Sequence, residues 1–219
     1  MMLEFEKVSK CYGKKAVLKN VSFSVKRGEI FGILGQSGAG KSTIGKLLLQ
    51  MIKTTEGKIL FEGKELKELS RREIQTVFQD PYSSLNPSLK IGQILEEPLL
   101  ANGVKRKEER RKKVLETLKK VGLLESDAEK YPSELSGGQR QRVCIAGAII
   151  LSPKLIVCDE PIASLDLAMQ EQILQLIYRI NQEEGITFLL FLIIYRRFIE
   201  LQTEFCCCIK GKYRKYKTL

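Results

Sequence analysis

Eight consecutive residues, Gly35-Gln36-Ser37-Gly38-Ala39-Gly40-Lys41-Ser42, fit G-x-x-x-x-G-K-[ST] at every fixed position. Each residue type has a chemical use at that spacing. The glycines let successive backbone N–H groups turn inward around phosphate oxygens. A helix beginning where the loop ends adds unpaired donors and the positive end of its dipole. Lys41 can reach the β- and γ-phosphates of a nucleotide, and Ser42 offers a hydroxyl to Mg²⁺. A magnesium triphosphate also needs an acid nearby, at the end of a neighbouring strand. Leu155-Ile156-Val157-Cys158-Asp159 supplies one, with Asp159 placed to hold the metal through water. Glu160 follows directly and can polarise an attacking water. An apolar strand ending in an acid is weak evidence alone. Beside the glycine loop it points to hydrolysis of a nucleoside triphosphate.

Those residues need a frame, and the surrounding sequence describes one. Residues 30–34 are almost wholly apolar, as in a strand buried at the centre of a sheet. Residues 42–50 carry a helical pattern, so the glycine loop joins a strand to a helix. Residues 155–158 and 187–194 read as further buried strands, and 75–78 as a shorter one. Residues 2–8, 17–25 and 57–61 read as partly exposed strands of an antiparallel lobe. From about 80 to 151 the pattern turns helical, with Ile94, Leu95, Val114, Leu115, Leu118 and Val121 at helical spacing. Residues 139–151 and 168–181 are expected to be helices as well. The sum is an α/β fold: a mostly parallel core sheet, an antiparallel β lobe and a helical subdomain at about 80–151.

Composition narrows the classes. The chain has 219 residues, 43% apolar and 29% charged, enough for one domain with a sizeable core. One domain over residues 1–219 is expected. The first ten residues are charged from position 4, unlike a secretory signal. The longest apolar run, residues 186–195, is about half of what a bilayer-spanning helix requires. Basic residues number 37 and acidic ones 26, a net +11. The basic block at residues 105–113 reads as a solvated helix face. It has no interleaved aromatics to stack bases, so no nucleic acid is expected. Cys11, Cys144 and Cys158 stand singly among apolar neighbours and read as buried, reduced thiols. Cys206-Cys207-Cys208 lacks the spacing of a structural metal site. The chain contains no histidine, which excludes a histidine-containing zinc site or a histidine base of its own.

Between the two phosphate-site segments lies Leu135-Ser136-Gly137-Gly138-Gln139-Arg140-Gln141-Arg142. This resembles the signature motif of ABC-type ATPases. Ser136, Gly137 and Gly138 open a helix and so form a second anion-binding end. In the family that end covers the γ-phosphate held by an opposing cassette, so Ser136, Gly137, Gly138 and Gln139 are implied to contact nucleotide across a dimer. Other positions follow the same resemblance. Tyr12 matches the aromatic residue that stacks on adenine, and Gln79 the glutamine that senses Mg²⁺ and the γ-phosphate. Ser164-Leu165-Asp166 matches the loop that bridges two cassettes. The implied nucleotide contacts are Tyr12, Gly35, Ser37, Gly38, Ala39, Gly40, Lys41, Ser42, Thr43, Ser136, Gly137, Gly138, Gln139 and Asp166. Ser42, Gln79 and Asp159 are the implied metal set, and Glu160 with Gln79 the implied catalytic pair. ATP and Mg²⁺ are the implied cofactors.

Residues 78–87, Phe-Gln-Asp-Pro-Tyr-Ser-Ser-Leu-Asn-Pro, and Tyr131-Pro132-Ser133-Glu134-Leu135 are similar to ATPase subunits of oligopeptide, dipeptide and nickel importers. The resemblance implies a second ATPase subunit, integral membrane permease subunits and, indirectly, an extracytoplasmic substrate-binding protein. It implies a peripheral location on the cytoplasmic face of the membrane. Two other readings stay open: a soluble ABC-type ATPase acting on nucleic acid or ribosomes, and a non-catalytic nucleotide-binding partner in a heterodimer.

The sequence departs from the pattern in two places. The helix after the signature carries Ala146-Gly147-Ala148 where the family has Ala-Arg-Ala. More seriously, the family ends its next strand in Ser-His-Asp, whose histidine contacts the γ-phosphate and attacking water. Here the strand runs into Phe191-Leu192-Ile193-Ile194-Tyr195. The region after about 190 is therefore expected to be atypical or shortened, to lack the family's last strands and helices, and to leave one side of the sheet uncovered. A single shift of reading frame near residue 190 accounts for both losses. An intact cassette that binds nucleotide but hydrolyses it poorly is the competing expectation.

Overall fold

The computed structural model describes residues 1–36, 38–66, 72–163, 165–192, 204–209 and 212–216. Six strands form the core sheet, in the order β10-β9-β3-β8-β7-β6. They are β3 (Ile30–Gly35), β6 (Ile74–Val77), β7 (Leu155–Asp159), β8 (Thr187–Leu192), β9 (Glu204–Ile209) and β10 (Lys212–Tyr216). All neighbours are parallel except β10, which runs antiparallel to β9.

The apolar character of the central strands follows from covering both faces of the sheet. In β8, Phe188, Leu190 and Leu192 belong to the core beneath the helical region, whereas Leu189 and Phe191 belong to the core beneath the antiparallel lobe. β7 divides in the same way, with Ile156 and Cys158 on one face and Leu155 and Val157 on the other. A strand sandwiched in this manner has no solvent face to mark with polar residues.

The antiparallel lobe is a second sheet of order β2-β1-β4-β5, built from β1 (Leu3–Tyr12), β2 (Lys15–Val25), β4 (Glu56–Phe61) and β5 (Lys64–Glu65). Its inner aromatics bind it to the core. Phe5 stacks on Phe23 at 4.4 Å between centroids, and Phe23 stacks on Phe31 of β3 at 5.6 Å. Polar ties add to this: Glu62, in the turn after β4, accepts from Lys154 at 2.6 Å and also pairs with Arg27.

Helix α1 (Lys41–Leu48) follows β3 and buries Ile44, Leu47 and Leu48. Gly45 lets it lie close on β8, because a Cβ there would stand 3.2 Å from Phe191 Cε2. The helical region comprises α2 (Pro81–Ser84), α3 (Ile91–Ala101), α4 (Lys107–Lys120) and α5 (Gly137–Ile149). α6 (Leu167–Glu184) then leads through Gly185, at φ 67°, into β8. Among the described residues no helix is long and apolar enough to cross a membrane.

The expectations for the tail need correction. In the tail, where none of the family's last strands was expected, the backbone of β9 pairs in parallel with β3, and β10 pairs antiparallel with β9. β9 and β10 thus extend the sheet by two strands, with Phe and Ile in the first and Tyr in the second among the β-favouring types. The thiol expectation also shifts: Cys158 is buried, whereas Cys11 and Cys144 are partly exposed. Burial still pushes the Cys144 thiol up to about 12 and the Cys158 thiol higher, so neither is a ready thiolate.

Candidate functional site

Four parallel strands end at one edge of the core sheet, at Gly35, Val77, Asp159 and Leu192. The register aligns them: Leu34 opposite Leu192, Phe191 opposite Asp159, and Cys158 opposite Val77. In open α/β sheets this carboxyl edge is where ligands bind, because the loops leaving it converge.

The glycine loop leaves β3 at that edge. Gly38 and Gly40 adopt φ of 78° and 97°, left-handed values that favour glycine, and nothing lies within 4 Å of where a Gly38 Cβ would be. Gly40 is the N-cap of α1, and no side chain caps that helix start. The helix therefore presents free backbone polarity to the loop.

Lys41 opens α1 with only 4% of its side chain exposed. Its ammonium donates to Gly35 O at 2.6 Å and Gln36 O at 3.2 Å, and lies 3.3 Å from Glu160 Oε1. Asp159 stands beside it at the end of β7. Burial raises the Asp159 pKa and the Glu160 charge adds to the rise, while a hydrogen bond from Ser42 and the Lys41 charge oppose it. Glu160 itself has φ 50°, a left-handed conformation uncommon outside glycine, and its N–H donates to Phe191 O at 3.1 Å. β8 thus fixes the backbone of the acidic residue that Lys41 faces.

This donor set fits the groups implied for it. Two adjacent carboxylates and a hydroxyl are hard oxygen ligands suited to Mg²⁺, and the open left-handed loop with a cationic side chain suits phosphate. The raised pKa of Asp159 marks a carboxylate whose charge is incompletely compensated by the protein alone.

The structure brings Gly35, Gly38, Ala39, Gly40, Lys41, Ser42, Thr43, Asp159 and Glu160 to this edge. Gln79 is exposed two residues beyond the end of β6, on the same side of the sheet. Tyr12 lies at the end of β1 in the lobe, 47% exposed, with Lys10 Nζ 5.3 Å from its ring centroid. Ser37 and Ser164 lie outside the described residues, as do Ile193 to Tyr195, the stretch that corresponds to the family's histidine.

Ser136 and Asp166 form a separate group. Ser136 is the N-cap of α5: its hydroxyl accepts from Gln139 N–H at 3.2 Å, and Gln139 Oε1 accepts from Ser136 N–H at 2.9 Å. Asp166 caps α6 by accepting from Met169 N–H at 2.9 Å. The two helix starts touch, since a Cβ on Gly138 would meet the Met169 side chain and one on Gly137 would lie 3.8 Å from Leu165. The exposed Ser136 and Asp166 share one surface with the half-buried Gly137.

Two participants were not legible beforehand. The Phe191 carbonyl holds Glu160 through a backbone bond that side-chain identity does not announce. Arg140 spans from the signature helix to the segment after Gln79, a contact across many residues of intervening sequence. Only knowledge of how α2 packs on α5 reveals it.

Comparison with known proteins fits this geometry. A family model described as ABC transporter matches residues 18–163. The chain is 44% identical over 185 residues to the oligopeptide transport ATP-binding protein AppF of Bacillus subtilis, an alignment covering 81% of this chain and 56% of AppF. It spans about half the length of the curated relatives it matches. Among solved structures, cbiO1 from Clostridium perfringens, part of the ABC transporter complex cbiONQ, superimposes with a TM-score of 0.89 at 30% identity, covering 99% of this chain and 88% of that one. The ATP-binding cassette MJ0796, a dimer bound to ADP and Pi in a post-hydrolysis state, gives 0.86 at 34% identity, covering 100% of this chain and 99% of that one. With the glycine loop, the acid-tipped strand and the capped signature helix placed on that shared fold, the chain belongs to the ABC transporter family.

Proposed function

We propose that this chain is the ATP-binding subunit of an importer for oligopeptides, dipeptides or nickel, and that residues 1–219 act as one cassette. The observation that carries the reading is the convergence, at one sheet edge, of the left-handed glycine loop, the Lys41–Glu160 pair and Asp159. Likeness to an oligopeptide transport subunit over most of the chain supplies the substrate class.

In this reading the backbone N–H groups from Gly38 to Thr43 hold the triphosphate, and Lys41 neutralises the β- and γ-phosphates. Lys41 would exchange its present contacts with Gly35 O and Gln36 O for phosphate oxygens. Tyr12 stacks on adenine. Ser42, Gln79 and Asp159 hold Mg²⁺, which when bound neutralises charge building on the transferred phosphoryl group. Glu160, pinned by Phe191 O, orients the attacking water and draws on its proton. Ser136, Gly137, Gly138 and Gln139 cover the nucleotide of a second cassette, with Asp166 across the seam. Closure and reopening of that pair would drive integral permease subunits from the cytoplasmic face of the membrane.

Mg-ATP-dependent pairing tests the reading. The Glu160→Gln variant, mixed with Mg-ATP, should shift from monomer to dimer in sedimentation velocity, and co-expressed peptide permease subunits should retain the chain. A variant that binds Mg-ATP yet stays monomeric and is not retained would contradict it. A second reading, a partner that binds nucleotide without turning it over, is favoured by the absence of histidine from the whole chain.

A further inference from the structure

Arg140, in the second turn of α5, has two sets of partners that belong to different parts of the site. On one side its Nη1 donates to Leu135 O at 2.6 Å and to Pro132 O at 3.2 Å, so the guanidinium grips the loop that delivers Ser136. On the other side its Cζ lies 5.4 Å from the centroid of the Tyr82 ring. Tyr82 belongs to α2, which begins just after Gln79.

The α2 segment is a self-contained unit around Asp80. The Asp80 carboxylate accepts from Tyr82 N–H at 2.9 Å and Ser83 N–H at 3.3 Å, and Ser84 Oγ donates to Asp80 O at 2.6 Å. The Tyr82 N–H first, then the Ser83 side chain and N–H, hold the Asp80 carboxyl below its ordinary range, and the Arg140 charge adds a smaller pull in the same direction. Asp80, Tyr82, Ser83 and Ser84 are therefore held as one piece, which directly follows Gln79 in the chain. The ring of Tyr82 is 68% exposed, so packing into a core is not what fixes it.

A lysine nitrogen could bond the two carbonyls as Nη1 does, but it has no planar remainder to lay against the ring at the same time. The Nε of Arg140 is buried without a hydrogen-bond partner among the described residues, a cost accepted at this position.

We infer that Arg140 is a positioning residue that couples the segment from Gln79 to Ser84 to the loop before Ser136, with the Tyr82 ring as its second anchor. Resting on the proposed function, this joins the residue that would sense a cassette's own nucleotide to the serine that would cover its partner's. Arg140 thus adds a polar tie from α2 to the loop before α5, beside the direct packing of α2 on α5.

Amide hydrogen exchange on the full chain tests the coupling without requiring turnover. The reporters are Tyr82 and Ser83 on one side and Glu134, Leu135 and Ser136 on the other, whose N–H groups all have partners. Tyr82→Leu should speed exchange about tenfold in both groups, Tyr82→Phe should leave both as in the parent, and Arg140→Lys should speed both. Tyr82 is exposed, so its variants carry the test even if Arg140→Lys fails to fold. Faster exchange confined to residues 82–83 in Tyr82→Leu would overturn the inference.

Mg-ATP provides a second arm. In the parent it should protect residues 38–44 and both reporter groups; in Tyr82→Leu it should protect 38–44 while residues 134–136 no longer respond. Equal protection of 134–136 in parent and Tyr82→Leu would overturn the coupling. Absence of protection at 38–44 in the parent would instead refute the nucleotide reading, and the nucleotide-free comparison would still decide the role of Arg140.

Discussion

At the scale of single residues, the site rests on a few side chains with little freedom. Lys41 and Glu160 are both nearly inaccessible, at 4% and 12%, and face each other at 3.3 Å. Glu160 is held in a left-handed conformation by Phe191 O. Such strain persists where surrounding structure over-determines it, often at functional positions. Glu160→Gln preserves size and hydrogen bonding while removing the charge that would orient water. Nucleotide affinity should stay within a few-fold, and the single-turnover rate at excess protein should fall by about 100-fold. Equal rates for parent and variant, both above the protein-free background, would remove Glu160 from the chemistry. The sequence already marked Lys41, Asp159 and Glu160, because motif spacing is local information. It gave no hint of Phe191 as their support, since that bond joins backbone atoms of separate strands.

At the scale of elements, strands buried on both faces were easy to read, because Ile30–Leu34 and Leu155–Cys158 leave no room for polar side chains. The turn between α4 and α5 was not legible, since it is built on one buried acid rather than on periodicity. Asp127, 2% exposed, accepts from Leu124 N–H at 2.9 Å and Lys130 Nζ at 2.7 Å. Burial pushes its pKa up, but the Lys130 and Leu124 bonds outweigh that and leave it below the ordinary 3.8. A depressed carboxyl stabilises the fold above its unfolded pKa, and the contribution is lost as pH falls through the lowered value. Asp127→Asn should therefore cost about 1–3 kcal/mol at neutral pH. The gap between variant and parent in urea midpoint should narrow below pH 3.8. A gap that stays constant from neutral pH to acid would contradict this role. The hairpin β9–β10 was missed for another reason: its partner β3 lies far away in sequence, and Cys206-Cys207-Cys208 shows no alternation.

At the scale of the whole molecule, the glycine loop and the acids belong to one sheet edge, whereas Ser136 and Asp166 form a surface of their own. That separation suits the proposed pairing with a second ATPase subunit. It also makes the absent histidine the feature most consequential for activity. With no histidine in the chain and Leu192 the last described residue of β8, no such side chain is available to the γ-phosphate. Loss of one transition-state contact of this kind typically costs about 10²–10³ in rate. Steady-state phosphate release by the purified chain should accordingly be near background, and robust turnover by the homodimer would show the histidine to be dispensable here. The central claim is more basic than turnover: the folded chain binds a magnesium nucleotide in the glycine loop. Titration calorimetry of Mg-ATP into the parent and Lys41→Ala tests it most directly. The account predicts saturable binding of one nucleotide per parent chain and affinity at least about tenfold weaker in the variant, a difference of about 1.4 kcal/mol. No binding by the folded parent, or equal affinity in the two proteins, would contradict it.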